Sequence, residues 1–347
     1  MSEQELKELN QKQLDFFRSG LTRDLDYRLE VLIKIKKLII TNEYNLYEAF
    51  RKDLGKPRFE SYASENGIVL QEINLIIRNL KKWARPNRVY TPLVHFIATS
   101  RYLYEPYGRV LIISPWNYPF QLLFNPLIGA IAAGNCVVAK PSRSAVHTTE
   151  VMTAMINQNF DPGHIHIIGG SKEINQYLLK QKYDYIFFTG SSGVARKVMN
   201  EASSTLTPVS LELGGKNPAI ITSDANLRLA ARRILWGKLL NAGQSCVATD
   251  YVLVHSSVKS ELLDEMKKYI EKTYANKPAE SLDFCRIIDI ENTERLEKLI
   301  IPEKIFLGGT SDTGKKFVEP TILTQHFGIR SCYAGGDFRA HPAGSSF

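Results

Sequence analysis

Cys246 lies in the run Asn241-Ala-Gly-Gln-Ser-Cys-Val-Ala248, among small and polar neighbours. A thiol attacks carbon only as its thiolate, and only where the backbone leaves sulfur accessible. Gly243 and Ser245 supply that freedom and small bulk. An isolated cysteine is more often a small buried hydrophobe, so this one gains meaning from its company. Upstream stand Leu211-Glu-Leu-Gly-Gly-Lys-Asn-Pro218 and Ser114-Pro-Trp-Asn-Tyr-Pro-Phe120. Glu212 is a carboxylate followed by Leu213 and two glycines, which admit close approach by other groups. Taken alone it reads as a salt-bridged strand residue. Asn117 offers an amide that donates without being a competing nucleophile; alone it reads as a turn residue before Tyr118 and Pro119. Gly190-Ser-Ser-Gly-Val-Ala195 follows an apolar run and opens a helical one. Such a turn aims a helix N-terminus at phosphate or nicotinamide, although a lone Gly-rich turn is a weak signal.

In this order, the Asn117, Glu212 and Cys246 runs resemble those of the aldehyde dehydrogenase superfamily. The resemblance extends from the N-terminal helices to about Leu323. It implies that Cys246 is the nucleophile, with its own backbone N–H and the Asn117 amide forming the oxyanion site. It implies further that Glu212 is the base that activates water to cleave a thioester. Gly190, Ser191, Ser192, Gly193, Val194 and Ala195 resemble the family's Gly-Ser-Thr-x-x-Gly cofactor turn. Ser192 replaces the Thr, and Ala195 the last Gly. By the same resemblance Trp116 packs beside the cofactor pyrophosphate. Lys140 and Ser142 reach the adenosine ribose, and Leu213 belongs to the cofactor site. Without its neighbours, Lys140 reads as an exposed strand-end lysine.

The implied cofactor is NAD or NADP. Arg143 stands three positions after Lys140, where NAD-preferring relatives often carry an acidic residue. A carboxylate there repels a 2′-phosphate, whereas an arginine accommodates one. The other reading of Arg143 is that it points to solvent. Lys82-Trp-Ala-Arg-Pro86, Tyr118 and the absence of a longer N-terminal extension resemble the class 3 group. That group comprises fatty and aromatic aldehyde dehydrogenases and is typically homodimeric. The implied activity is oxidation of an aldehyde to an acid through a cysteine thiohemiacetal and thioester. The alternative is an inactive fragment that keeps dinucleotide binding or association with a partner. A Cys–His hydrolase is a third reading, but no His motif accompanies Cys246. No metal is expected.

These residues need elements to carry them. Residues 1–86 read as helices: Leu29, Val31, Leu32, Ile35, Leu38 and Ile39 follow helical spacing, and Pro86 disfavours helical backbone before it. Residues 87–107 read as oligomerisation-type strands pairing outside the main sheet. Apolar runs then alternate with helical ones over 108–208, at 108–114, 135–140, 164–168 and 185–188. That alternation predicts a doubly wound parallel sheet, with ligands at the carboxyl ends of its strands. Ser114–Asn117, Lys140–Arg143 and Gly190–Ala195 fall at those ends. A second, incomplete α/β catalytic unit is expected over 209–324, beginning with a strand at Val209. The expected class is therefore α/β with an aldehyde dehydrogenase-like fold.

Composition limits the alternatives. A chain of 347 residues suggests about two domains, with enough length for a buried core. No apolar run reaches the roughly 18 residues of a membrane span, and the N-terminus lacks the apolar core of a signal peptide. Cys136, Cys246, Cys285 and Cys332 show no Cys-x-x-Cys spacing, against zinc and against a disulfide framework. A reducing, cytoplasmic setting is expected. The net charge of +8 is spread over helices rather than clustered with aromatics, which argues against nucleic acid as the partner.

The tail, 325–347, departs from the resemblance. Relatives continue past Glu319-Pro-Thr-Ile-Leu323 with a Glu-Glu-Ile-Phe-Gly-Pro motif whose second acidic residue binds the nicotinamide ribose. They then complete the catalytic domain and add a dimer-bridging strand. Codons permitted for Cys332 to Gly344, regrouped one nucleotide later, can read Val-Met-Gln-Glu-Glu-Ile-Phe-Gly-Pro-Ile-Leu-Pro. The expectation is a reading-frame error, an inactive chain, and apolar faces of 209–323 left uncovered.

Overall fold

The computed structural model describes residues 1–170, 172–275, 277–324 and 343–346. The chain opens with α1 (Glu3–Arg18), started by a Ser2/Glu5 capping box, and α2 (Leu25–Thr41), capped by Asp24. Then come α3 (Glu43–Leu54), the short α4 (Arg58–Ser61), a π-helical turn at Tyr62–Asn66, and α5 (Gly67–Trp83). Strands β1 (Asn87–Val89) and β2 (Ser100–Tyr102) pair antiparallel, apart from the larger sheets.

The alternating part follows. It runs β3 (Arg109–Ile113), α6 (Gln121–Ala132), β4 (Cys136–Lys140), α7 (Val146–Asn157), β5 (Ile165–Ile167), α8 (Lys172–Lys180), β6 (Tyr185–Gly190), α9 (Ser192–Ser203) and β7 (Val209–Leu213). All neighbours are parallel in the order β5-β4-β3-β6-β7. Each strand splits its apolar side chains between two layers. Val110, Ile112, Val137 and Ala139 pack with residues of α2, α3, α5, α6 and α7. Leu111, Val138, Ile186 and Phe188 pack with α1, α8 and α9 on the other side. Helices on both faces are what a parallel sheet requires, and the doubly wound expectation is met.

The second sheet holds β8 (Asn217–Ile221), β9 (Thr249–Val254), β10 (Ile305–Leu307), β13 (Ile322–Leu323) and β14 (Ala343–Ser346), ordered β10-β13-β14-β9-β8. The chain reaches it through α10 (Leu227–Leu239), α11 (Lys259–Tyr274) and α12 (Ile290–Glu297); β11 (Ser311–Asp312) and β12 (Phe317–Val318) form a separate hairpin. Ile234, Leu235, Leu262, Met266 and Ile270 of α10 and α11 cover Val252, Val254 and Ile322. Among the described residues, no helix is long and apolar enough to cross a membrane.

One expectation differs from this arrangement. Val209 was to begin the second unit, yet β7 is the edge strand of the first sheet, with Ile186 opposite Val209 and Gly190 opposite Leu213. Of the tail, Ala343–Ser346 pairs parallel with both β9 and β13 and so adds a strand to the second sheet. Most of the segment carrying the reading-frame expectation, 325–342, lies outside the described residues.

Candidate active site

Asn241, Ala242 and Gly243 follow α10 with φ of 51°, 51° and 78°. Two non-glycine residues in succession in the left-handed region cost roughly 1–2 kcal/mol each, so the surroundings must hold them. They do so by hydrogen bonds. The Asn241 amide donates to the Asn117 carbonyl at 2.7 Å and to the Gln244 carbonyl at 3.2 Å. The Gln244 amide donates to Asn241 O at 2.9 Å and Arg286 O at 3.0 Å, and its oxygen accepts from Ile288 N–H at 3.1 Å. The turn leads to Cys246, which is half-buried.

Asn117 is fully buried, and its Nδ2 donates to Gln244 O at 3.0 Å, two residues before Cys246. That bond uses one N–H of the amide, and Asn117 Oδ1 has no hydrogen-bond partner among the described residues. Glu212, the penultimate residue of β7, is exposed and lies opposite Thr189 in register. Directly after β7, Gly215 passes so close to the Cys246 loop that a Cβ on it would meet Cys246 O at 2.5 Å. Asn217 Nδ2 closes this contact by donating to Cys246 O at 2.7 Å and Ala248 O at 3.2 Å. The three sequence runs thus meet at one place.

The electrostatics follow. Burial pushes the Cys246 thiol above its ordinary range; its own N–H opposes the rise, the Glu212 carboxylate adds to it, and the Val247 N–H opposes it. The thiol is thus coupled to the charge on Glu212.

A cleft runs along the carboxyl ends of β3, β4 and β6. One part, about 290 Å³, is lined by Ser114, Trp116, Thr189, Gly190, Ser191 and Val194 among others. A neighbouring part, about 250 Å³, is lined by Ser114, Lys140, Ser142, Arg143 and Asn175 among others. Ser191 caps α9 by accepting from Val194 N–H, so the helix N-terminus opens on the cleft. Lys140 is buried rather than exposed; it donates to Pro141 O at 2.8 Å and Gly170 O at 3.4 Å. Burial, then the Arg143 charge, pushes it down to about 8. Arg143 itself is exposed at the cleft rim. Ser192 and Gly193 sit in the first turn of α9, while Ala195 packs into the apolar layer behind the cleft. Leu213 packs against that same layer, beside Gly190. The buried hydroxyls of Ser114 and Thr189 have no hydrogen-bond partner among the described residues. Such orphaned donors in a groove with a basic end fit a dinucleotide.

Sequence reasoning missed Asn292 and Arg295 of α12, which also line the larger part. Arg295 donates to Asn292 Oδ1 at 3.0 Å. Their i, i+3 spacing on one helix face was the only signal. It also missed the charged residues behind Asn117, described below.

Comparison with known proteins bears on the family and the fold. A model of the aldehyde dehydrogenase family matches residues 11–327. The chain is 44% identical over 310 residues to 4,4′-diaponeurosporen-aldehyde dehydrogenase of Staphylococcus aureus, covering 89% of this chain and 68% of that protein. It is 41% identical over 310 residues to aldehyde dehydrogenase family 3 comG of Dictyostelium discoideum, covering 88% and 66%. Among solved structures, a substrate-bound AldH of Staphylococcus aureus superposes with a TM-score of 0.94 at 40% identity, covering 99% of this chain and 75% of that one. The chain spans about two thirds of the length of these curated relatives. A match over nearly the whole chain, in sequence and in fold, with family 3 enzymes among the relatives, means that it belongs to the aldehyde dehydrogenase family.

Proposed function

We propose that this chain carries the reacting groups of a nicotinamide-dependent aldehyde oxidation. The observation that carries the reading is the meeting of Asn117, Glu212 and Cys246 where the two sheets join. The Cys246 thiolate adds to the aldehyde carbon, forming a C–S bond and an oxyanion. The Cys246 N–H and the second N–H of Asn117 hold that oxygen. When bound, a nicotinamide dinucleotide supplies the two-electron acceptor for this carbon. Glu212 takes a proton from water as the water oxygen adds to the resulting thioester carbon. The C–S bond breaks, the acid leaves, and Cys246 recovers its sulfur. Ser114, Trp116, Lys140, Ser142, Thr189, Ser191 and Val194 hold the dinucleotide. Arg143 at the ribose end lets NADP serve as readily as NAD.

The test is aldehyde-dependent NAD(P)H formation by the purified chain beside Cys246→Ala. Turnover in the parent and none in the variant is expected; equal rates would sink the assignment. A second reading is supported by the groove at Ser114, Lys140, Ser142, Thr189 and Ser191, whose lining does not include Cys246: the chain binds dinucleotide without turning over. Calorimetric binding of NAD or NADP with no product formed selects that reading. Leu93, Val94, Phe96 and Ile97, each more than 80% exposed between β1 and β2, support homodimer formation through this hairpin.

A further inference from the structure

The segment from Lys56 to Gly67 carries three buried charges to the back of the site. Lys56 and Glu65 are both fully enclosed, 2.6 Å apart. Glu60 is 6% exposed. Every carboxylate oxygen has a donor. Glu65 takes Lys56 Nζ on one oxygen and the Gln121 N–H, at the first residue of α6, on the other at 2.8 Å. Glu60 takes the Asn241 N–H on one oxygen and the Cys285 thiol on the other at 3.4 Å. Lys56 Nζ also reaches Asn117 O at 3.5 Å and lies 4.5 Å over the Tyr118 ring. One short segment therefore grips the Asn117 loop with Glu65 and Lys56, and the turn before Cys246 with Glu60.

The backbone is shaped for this. At 3.6 residues per turn, side chains five apart diverge by about 140°. The π turn at Tyr62–Asn66 widens one turn and brings Glu60 and Glu65 toward a common face. Gly67 donates to Tyr62 O to close that turn, and a Cβ on it would meet this oxygen at 2.7 Å. Burying two carboxylates with one ammonium is unfavourable for stability. Core packing alone gives no reason for it.

We propose that Glu60 and Glu65, the latter paired with Lys56, are positioning residues that fix the Asn117 loop and the Asn241–Gly243 turn at the spacing the Cys246 thiolate requires. This rests on Cys246 being the nucleophile. Released from Glu60, Asn241 and Ala242 relax out of the left-handed region. The N–H groups of Cys246 and Val247 then lose their alignment on sulfur.

The test is the pH profile of Cys246 alkylation by iodoacetamide in the full chain, read by mass spectrometry of its peptide. Glu212 faces the thiol and is left unchanged. Lys56, Glu65, Cys285, Tyr118 and Tyr274 act on or are acted on by Glu60 and are also kept. Glu60→Leu is expected to slow alkylation at pH 8 at least threefold and move the midpoint upward. Glu60→Gln keeps an oxygen for the Asn241 N–H and is expected to restore most of the rate. A folded Glu60→Leu with the parent profile overturns the proposal. So does an equal loss in both variants that tracks only their melting temperature. If Glu60→Leu fails to fold, Glu60→Asp keeps the charge but withdraws it by one methylene. The same upward shift is expected there, and a parent profile again overturns the proposal. Since the readout is thiol chemistry, absence of turnover refutes the proposed activity without touching this result.

Discussion

Gly215→Ala tests the close passage beneath Cys246. The new methyl carbon would sit 2.5 Å from Cys246 O and 2.9 Å from Asn217 Nδ2. An unstrained carbon–oxygen contact is no shorter than about 3.0 Å, so something must move by at least about 0.5 Å. The first atom met is backbone, not the far end of a flexible side chain. The second is the amide that ties down Cys246 O at 2.7 Å. Overpacking of this kind costs about 1–3 kcal/mol. At about 2–4 °C per kcal/mol, the melting temperature falls by roughly 2–12 °C. The displaced group bears Cys246, the proposed nucleophile, and misplacement approaching 1 Å costs up to about 100-fold in rate. The assay pairs differential scanning fluorimetry with Cys246 alkylation and, where turnover is present, steady-state NAD(P)H formation. Gly129→Ala is the control: it lies in α6, is exposed, and its Cβ meets nothing within 4 Å. It is expected to stabilise slightly, by about 0.5–1 kcal/mol. A Gly215→Ala protein with the parent's melting temperature and alkylation rate refutes the argument.

Glu212→Gln removes a charge that raises the Cys246 thiol, so alkylation at pH 8 is expected to speed up; an unchanged rate would separate the two residues. In an active chain the same variant should leave acylation intact and slow thioester hydrolysis, giving a burst of NAD(P)H in stopped flow. Lys140 is pushed down to about 8 from an ordinary 10.5, so its unfavourable contribution is fully present below pH 8 and relieved as pH rises toward 10.5. Lys140→Met is therefore expected to melt higher than the parent at pH 7 and to lose that advantage at high pH, while binding dinucleotide more weakly by calorimetry. Arg143→Glu should shift the ratio of NADP to NAD affinity toward NAD; a strong NAD preference already present and unmoved by the substitution contradicts the role given to Arg143.

The sheet of the cofactor half was legible because strands buried on both faces must be apolar throughout, as in Val110–Ile112 and Val137–Ala139. β7 was misplaced because Val209-Ser-Leu-Glu-Leu213 alternates, as an edge strand does, and so resembled the start of a new unit. Cys246, Glu212 and Asn117 were legible as motifs, but not the turn that delivers the thiol. Nothing in the letters of Asn241 and Ala242 announces left-handed backbone imposed by tertiary hydrogen bonds. Lys56, Glu60 and Glu65 were invisible for the opposite reason: charges among helical residues are normally solvated, and only the fold shows them enclosed.

Between the last residue of β7 and the first of β8 lie only Gly214, Gly215 and Lys216. This is where the chain passes from one sheet to the other, with Glu212 at one end and the Cys246 carbonyl against the middle. The link between the two sheets and the backbone packed against the Cys246 loop are therefore the same three residues. Leu213 ends the strand on one side and Asn217, whose amide holds Cys246 O, begins the strand on the other, so a change in the length of this link displaces the loop of the thiol relative to Glu212.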